Sequence, residues 1–198
     1  MGTGRCTVLG TGIATGVRGG NVVGYLGYLD GFPAPMYVNL MVQQMHAMRW
    51  YDGRVNELGT GVPFATTSGG FAAGATALPG HAGEFAYGNF FGPAGRYEFP
   101  IPHAAAWDAN GRRILLVQND SRSVAWDVAD DATVVGMLQE RDGKHYAFRW
   151  RSGRAQRLDD LAHPAGWRFE SAYAIGADGA IAGIGTHDGV AAAFVWHE

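Results

Sequence analysis

The sequence predicts an all-β fold, a four-bladed β-propeller, and three observations support that prediction. Glycine is abundant and charge is sparse: 31 of the 198 residues are Gly, and 47% are hydrophobic against 17% charged. This composition is typical of short strands joined by tight turns. Two short phrases also recur four times along the chain, and the phrase that ends a repeat is found again at the start of the chain.

The first recurring phrase is a pair of small or β-branched residues followed by glycine. β-branched residues favour strands, and a glycine within a strand marks a turn, a bulge or a close backbone approach. Each copy therefore predicts one strand of a repeated unit. The copies lie at 22–24, 72–74, 134–136 and 181–183.

The second phrase places Ala three residues before Trp, and it ends at Trp50, Trp107, Trp150 and Trp196. After the first three tryptophans the chain continues with Gly-Arg and then a Leu, which predicts one further strand in each unit. Four-stranded units of this kind bury their faces by stacking around a ring. The recurrent Trp and Gly residues are expected to belong to the scaffold.

The segment "GRCTVLGT" at 4–11 closely matches "GRVNELGT" at 53–60, the end of the first unit. We therefore expect the N-terminal strand to complete the last blade and to close the ring. The predicted blades of this single domain, 1–198, are approximately 12–60, 61–118, 119–160, and 161–198 together with 4–11. The alternative is half of an eight-bladed ring formed by two chains.

The units "SAYAIGADGAIAGIGTHDGVAAAFVWHE" and "DDATVVGMLQERDGKHYAFRWRSGRAQRLDDL" resemble the HAF repeat, a bacterial motif. His46 and His103 stand at the histidine position of that motif, whereas Tyr146 and Ala192 replace it in the last two units. The resemblance covers the chain in four copies. It implies a β-propeller-like fold and no particular activity.

Charge and cysteine content exclude several classes of function. The net charge is -3 and Lys144 is the only lysine, so no basic surface for nucleic acid is expected. Cys6 is the only cysteine, which excludes an intrachain disulfide and a thiolate metal cluster. Without a visible leader or a long apolar run, we expect a cytoplasmic protein that does not enter a membrane; the alternative is a secreted protein whose signal has been removed. The seven histidines show no i, i+4 pair, so neither a metal nor another cofactor is predicted.

Two long insertions, 25–46 and 75–103, distinguish the first two units from the last two. They are longer than an ordinary hairpin loop and rich in Phe, Tyr and Met, which is typical of a pocket for an apolar or aromatic molecule. The predicted ligand-binding residues in the insertions and in neighbouring connections are Tyr25, Tyr28, Phe32, Met36, Tyr37, Met41, His81, Phe85, Tyr87, Phe90, Phe91, Arg122 and Trp167.

A histidine beside a carboxylate is the usual arrangement for general acid/base catalysis. The candidates for such a pair are His46, His103, Asp30 and Glu84, which lie in the insertions or where the insertions re-enter the sheet. The alternative for either histidine is a structural role, in which the ring binds a backbone carbonyl at a repeat position.

The sequence thus predicts a protein that binds a small apolar or aromatic molecule between two long loops. One form of this hypothesis is a cofactor-free acid/base enzyme of secondary metabolism, such as a cyclase, isomerase or hydrolase. The alternative is a non-catalytic module that binds carbohydrate or protein. The apolar insertions also leave open either a monomer or a homodimer in which they form the contact.

Overall fold

The fold is all-β, as the sequence predicts. The computed structural model describes residues 6–26, 45–87, 95–118, 122–140, 143–163 and 165–198, and within 81–100 it describes only the backbone. In this part of the chain fifteen strands form four antiparallel sheets, and the single helix, α1 (Leu158–Ala162), has five residues.

The first two sheets each contain four strands in chain order. Sheet 1 consists of β1 (Ile13–Arg18), β2 (Asn21–Leu26), β3 (His46–Tyr51) and β4 (Arg54–Thr60). Sheet 2 consists of β5 (Val62–Thr66), β6 (Ala72–Tyr87), β7 (Gly95–Trp107) and β8 (Arg113–Leu115).

The third sheet has four strands and the fourth has three. Sheet 3 consists of β9 (Arg122–Val128), β10 (Val134–Gln139), β11 (His145–Arg151) and β12 (Arg154–Arg157), and α1 follows it directly. Sheet 4 consists of β13 (Trp167–Ile175), β14 (Ile181–His187) and β15 (Val190–Trp196).

The antiparallel order places the connections at two opposite ends of the strands. One end, the loop end, carries the crossovers between sheets and both insertions; the other, the turn end, carries the tight turns such as β1–β2. The second insertion is a long hairpin, since β6 and β7 remain paired out to Tyr87 and Gly95. Most of the first insertion, 27–44, lies outside the described residues.

Neighbouring sheets pack face to face through small and aliphatic side chains. Alanine dominates these faces, which lets two sheets approach closely and bury their apolar area. Between sheets 1 and 2, Val23, Ala47 and Leu58 pack with Ala72 and Trp107. Between sheets 2 and 3, Ala73, Ala104 and Ala106 pack with Val134 and Phe148. Between sheets 3 and 4, Val135 and Ala147 pack with Ile181 and Phe194.

The recurrent glycine has a steric cause that is the same in all four sheets. A Cβ on this residue would overlap a carbonyl oxygen of the first strand of its own sheet. Only glycine allows the second strand to lie this close to the first. The residues are Gly24, Gly74, Gly136 and Gly183.

Opposite each of these glycines, the first strand contains a β-bulge. The pairing register skips one residue at the same place in β1, β5, β9 and β13. A bulge leaves one residue unpaired and re-aims its side chain. The four bulge residues are Thr15, Phe64, Trp126 and Tyr173.

The row of sheets is open between sheet 4 and sheet 1. Residues 6–12 contain no strand, so the predicted closing strand at 4–11 does not pair with β15, and residues 1–5 are outside the described part. Leu9 is 42% exposed, whereas Leu58, the matching residue of β4, is 5% exposed. Leu58 is buried because β4 packs against sheet 2, whereas Leu9 is not part of a strand.

We predict that Gly136→Ala destabilises the protein by about 1–3 kcal/mol or more, because the added methyl group overlaps the backbone of β9. Chemical denaturation measures the change. The control is Gly69→Ala, since a Cβ there has its nearest neighbour, Thr67 Oγ1, at 3.8 Å. Equal stability of the two variants would contradict the close approach.

Candidate functional site

Three of the four bulge residues form an aromatic cluster on the first strands of sheets 2, 3 and 4. The ring centroids of Phe64 and Trp126 are 5.2 Å apart, and those of Trp126 and Tyr173 are 5.9 Å apart. Both pairs are tilted by about 45°, a geometry in which aromatic rings attract each other. We call Phe64, Trp126 and Tyr173 the inner-strand aromatic cluster.

The exposed member of this cluster is Tyr173. Its residue surface is 48% exposed, whereas Phe64 and Trp126 are partly buried. Part of the Tyr173 residue is therefore accessible to solvent beside the two partly buried rings. An accessible aromatic face next to two further rings suits the binding of an apolar or aromatic molecule.

The first insertion begins and ends on a buried layer beside this cluster. Tyr25 and Met45, which lie at the two ends of the insertion 25–46, are each 2% exposed. Both pack with Val62 and Val124, and Phe64 and Trp126 pack against the same group. The insertion at 27–44 is thus anchored at both ends to the surroundings of the aromatic cluster.

His46, one of the predicted catalytic residues, has a carboxylate partner that the sequence analysis did not select. Its Nδ1 lies 2.5 Å from Oε1 of Glu57 on the neighbouring strand β4. Both side chains are more than half exposed. The pair therefore lies on the outer strands of sheet 1, where solvent screens its charges.

His103, the second predicted histidine, is buried on β7 and is 1% exposed. It lies opposite Thr76 of β6, whose hydroxyl donates to Thr60 O at 2.8 Å and accepts from Arg113 Nη1 at 3.1 Å. The following residue donates from its backbone nitrogen to Ser123 Oγ at 2.9 Å. His103 thus belongs to a buried polar region between sheets 2 and 3.

Two predicted ligand-binding residues outside the insertions lie on different first strands. Arg122 begins β9 at the loop end, and burial lowers the pKa of its guanidinium from the usual value. Trp167 begins β13 and stacks on His187 with ring centroids 4.8 Å apart. Trp167 also packs against the core between sheets 3 and 4, so it is not part of the inner-strand aromatic cluster.

The remaining predicted residues are described only in part or not at all. The backbone of four of them lies on β6, and nothing is described of their side chains: His81, Glu84, Phe85 and Tyr87. The others lie outside the described residues: Tyr28, Asp30, Phe32, Met36, Tyr37, Met41, Phe90 and Phe91.

A cavity of about 820 Å³ opens at the turn end between sheets 3 and 4. Its charged side chains compensate one another. Arg149 Nη1 lies 2.9 Å from Glu198 Oε2, and Arg151 lies 3.4 Å from Asp131 and 3.6 Å from Glu198. The ion pairs leave little net charge for a ligand to neutralise.

The arginines of this cavity have a structural counterpart in sheet 1. Arg49 stands one residue before Trp50, as Arg149 stands before Trp150, and it donates to Gly70 O at 3.0 Å and Ala109 O at 2.7 Å in sheet 2. Arg149 likewise reaches from its own sheet into the next. We therefore assign these arginines to the connection between neighbouring sheets.

No group of three or more His, Cys, Asp or Glu side chains in the described ranges is arranged to hold a metal ion. No described helix is long and apolar enough to cross a membrane.

Comparison of the chain with protein families, with curated proteins and with solved structures finds no match. Its function is therefore argued from its own residues.

The sequence analysis missed the inner-strand aromatic cluster, although a signal for it exists. Phe64, Trp126 and Tyr173 stand the same number of residues before the recurrent glycine of their own units. Repeated aromatic residues at this register would have indicated a cluster, because equivalent positions of stacked units lie side by side. The bulge that directs them inward is visible only in the strand pairing.

We predict that Tyr25→Phe removes part of the loss of stability at high pH. Burial raises the pKa of the Tyr25 phenol above 10.0, so the unfolded chain ionises first and stability falls as the pH rises above that value. Denaturation between pH 8 and about 11 measures the effect. The control Tyr51→Phe removes a half-exposed phenol; an unchanged pH profile for Tyr25→Phe would contradict the burial of its hydroxyl.

Proposed function

We propose that the four sheets close into a four-bladed β-propeller when the N-terminal segment 4–11 pairs with β15. The distribution of exposed apolar side chains supports closure. Within the described residues, every exposed large hydrophobic side chain belongs to the N-terminal segment, sheet 1 or sheet 4, the two ends of the open row. These are Val8, Leu9, Ile13, Val17, Tyr51 and Val55 at one end, and Tyr173, Ile184, Val190 and Val195 at the other.

A contact across the row favours a ring of four blades over a ring of eight. Arg18 Nη1 of sheet 1 donates to Val128 O of sheet 3 at 2.9 Å, although sheet 2 lies between them in the row. Arg18 also lines the turn-end cavity together with Gly176 and Asp178 of sheet 4. The row is thus curled tightly enough for its first and last sheets to border the same cavity.

The likeness of residues 4–11 to residues 53–60 gives the expected register of the proposed closing strand. In sheet 1, Arg49 pairs with Asn56 and Trp50 with Val55. The equivalent pairs in sheet 4 are Val195 with Thr7 and Trp196 with Cys6. This register would place Val8 opposite Phe194.

We predict that Thr7→Cys with Val195→Cys, in a Cys6→Ser background, forms an intrachain disulfide. Directly opposed residues of antiparallel strands have Cα atoms about 4.5–5.5 Å apart, a distance that a disulfide spans. Mass spectrometry and non-reducing electrophoresis detect the bond, which should stabilise the monomer by about 2–4 kcal/mol.

The control for this experiment is Thr7→Cys with Val190→Cys. Val190 is at the other end of β15, about 16 Å from Val195 at the rise of a β-strand. It should form no intrachain bond. Disulfide-linked dimers of the Thr7→Cys, Val195→Cys variant would indicate the eight-bladed ring of two chains, and no bond at all would contradict closure by this strand.

We further propose that the protein binds a small apolar or aromatic molecule against the inner-strand aromatic cluster. The observation that carries this proposal is the accessible Tyr173 residue beside Trp126 and Phe64. Such a site needs few polar groups, because most of its affinity comes from apolar burial.

The proposal includes binding and no chemical step. Of the two predicted histidines, His46 pairs with Glu57 on exposed outer strands and His103 lies in the core between sheets 2 and 3. A general acid or base must come within hydrogen-bonding distance of its substrate.

We predict that Tyr173→Ala weakens the binding of the single-ring probe phenol by about 5- to 150-fold. Loss of a stacked aromatic partner costs about 1–3 kcal/mol. The shift of the Trp126 indole N–H resonance follows binding, and the spectrum of Trp126→Phe assigns that resonance. The control is Tyr51→Ala, which removes an equally exposed tyrosine of sheet 1.

The proposal fails if neither phenol nor the two-ring probe 2-naphthol shifts the Trp126 resonance at millimolar concentration. It also fails if Tyr173→Ala and Tyr51→Ala bind phenol as the original chain does.

A further inference from the structure

One of the four bulge positions lacks an aromatic residue. Phe64, Trp126 and Tyr173 occupy this position in sheets 2, 3 and 4, whereas sheet 1 has Thr15. A threonine side chain is smaller than any of the three by roughly one six-membered ring. At this position the ring of aromatic side chains is therefore incomplete.

The Thr15 side chain is held in place by hydrogen bonds to the backbone. Its Oγ1 lies 2.5 Å from Pro63 O and 3.2 Å from Val23 O, so it is tied to the backbone of sheets 1 and 2. Pro63 immediately precedes Phe64. Thr15 is thus the neighbour of the cluster on the Phe64 side, and its position is fixed.

The other side of the gap is the exposed face of Tyr173. Trp126 covers one side of Tyr173 at 5.9 Å, and nearly half of the residue surface remains open. If sheets 4 and 1 meet, Tyr173 and Thr15 become neighbours, because they occupy the equivalent bulge position on the first strands of these two sheets. The open space then lies between them, with Trp126 and Phe64 across from it.

We propose that this gap is the binding slot for one aromatic ring, so that the ligand is a single-ring aromatic molecule stacked on Tyr173. The inference rests on the proposed binding function and on ring closure, and it adds the size of the ligand. The ring would occupy the place that the fourth aromatic side chain would take. An apolar cavity of about 150 Å³ is sufficient to bind benzene.

Filling the slot with a side chain tests the inference. Thr15→Phe supplies the missing ring, and we expect it to raise the dissociation constant for phenol at least tenfold, measured by the Trp126 indole N–H shift. The matched control is Val17→Phe, which adds the same ring to β1 at a residue that is 74% exposed. Val17→Phe should bind phenol as the original chain does.

Two further measurements keep the test decisive if Thr15→Phe does not fold. Thr15→Val removes the hydroxyl but leaves the space, so phenol binding should persist. In the original chain, 2-naphthol should bind at least tenfold more weakly than phenol, because its second ring exceeds the slot.

The outcomes separate this inference from the proposed function. Phenol binding that is lost with Tyr173→Ala but unchanged with Thr15→Phe would leave the binding site in place and overturn the slot. Equal affinity for phenol and 2-naphthol would also overturn it. If neither probe shifts Trp126, the binding function itself fails.

Discussion

The structure depends on one steric constraint, the contact between a glycine of the second strand and the backbone of the first strand in each sheet. At Gly136 a Cβ would collide with Val124 O, and the same collision occurs at Gly24, Gly74 and Gly183. The close approach coincides with a bulge in the first strand. Because a bulge re-aims one side chain, this repeated contact determines which residues form the inner-strand aromatic cluster.

The second constraint on the structure is the number of faces of each sheet that a neighbouring sheet covers. Sheets 2 and 3 are covered on both sides, and their faces consist largely of Ala, Val and aromatic residues. Sheets 1 and 4 each expose apolar side chains such as Val17 and Val195. Among the described side chains, exposed large apolar residues lie only at the two ends of the curled row, and covering them would favour closure.

Much of the fold could be predicted from the sequence, because its signals are local and repeated. The glycine and Trp phrases predicted the all-β fold, and the long insertions were visible from their length. The site was predicted less well. His46 was paired with carboxylates of the insertions, yet its partner Glu57 comes from the adjacent strand. Cross-strand neighbours depend on register, and register near a bulge cannot be read from spacing alone. The aromatic cluster had a signal in the repeated spacing of its residues from the recurrent glycine, and this signal was overlooked.

The central claim is that residues 4–11 form the outer strand of sheet 4. The proposed aromatic slot depends on this claim, since the slot is bounded only when sheets 4 and 1 meet. Hydrogen exchange of the backbone amides of Cys6, Thr7, Val8 and Leu9 measures this most directly. The account predicts that alternate amides in this segment exchange as slowly as those of β4, since a paired outer strand donates every second amide to its neighbour. Exchange of all four amides at the rate of an unstructured chain would contradict it.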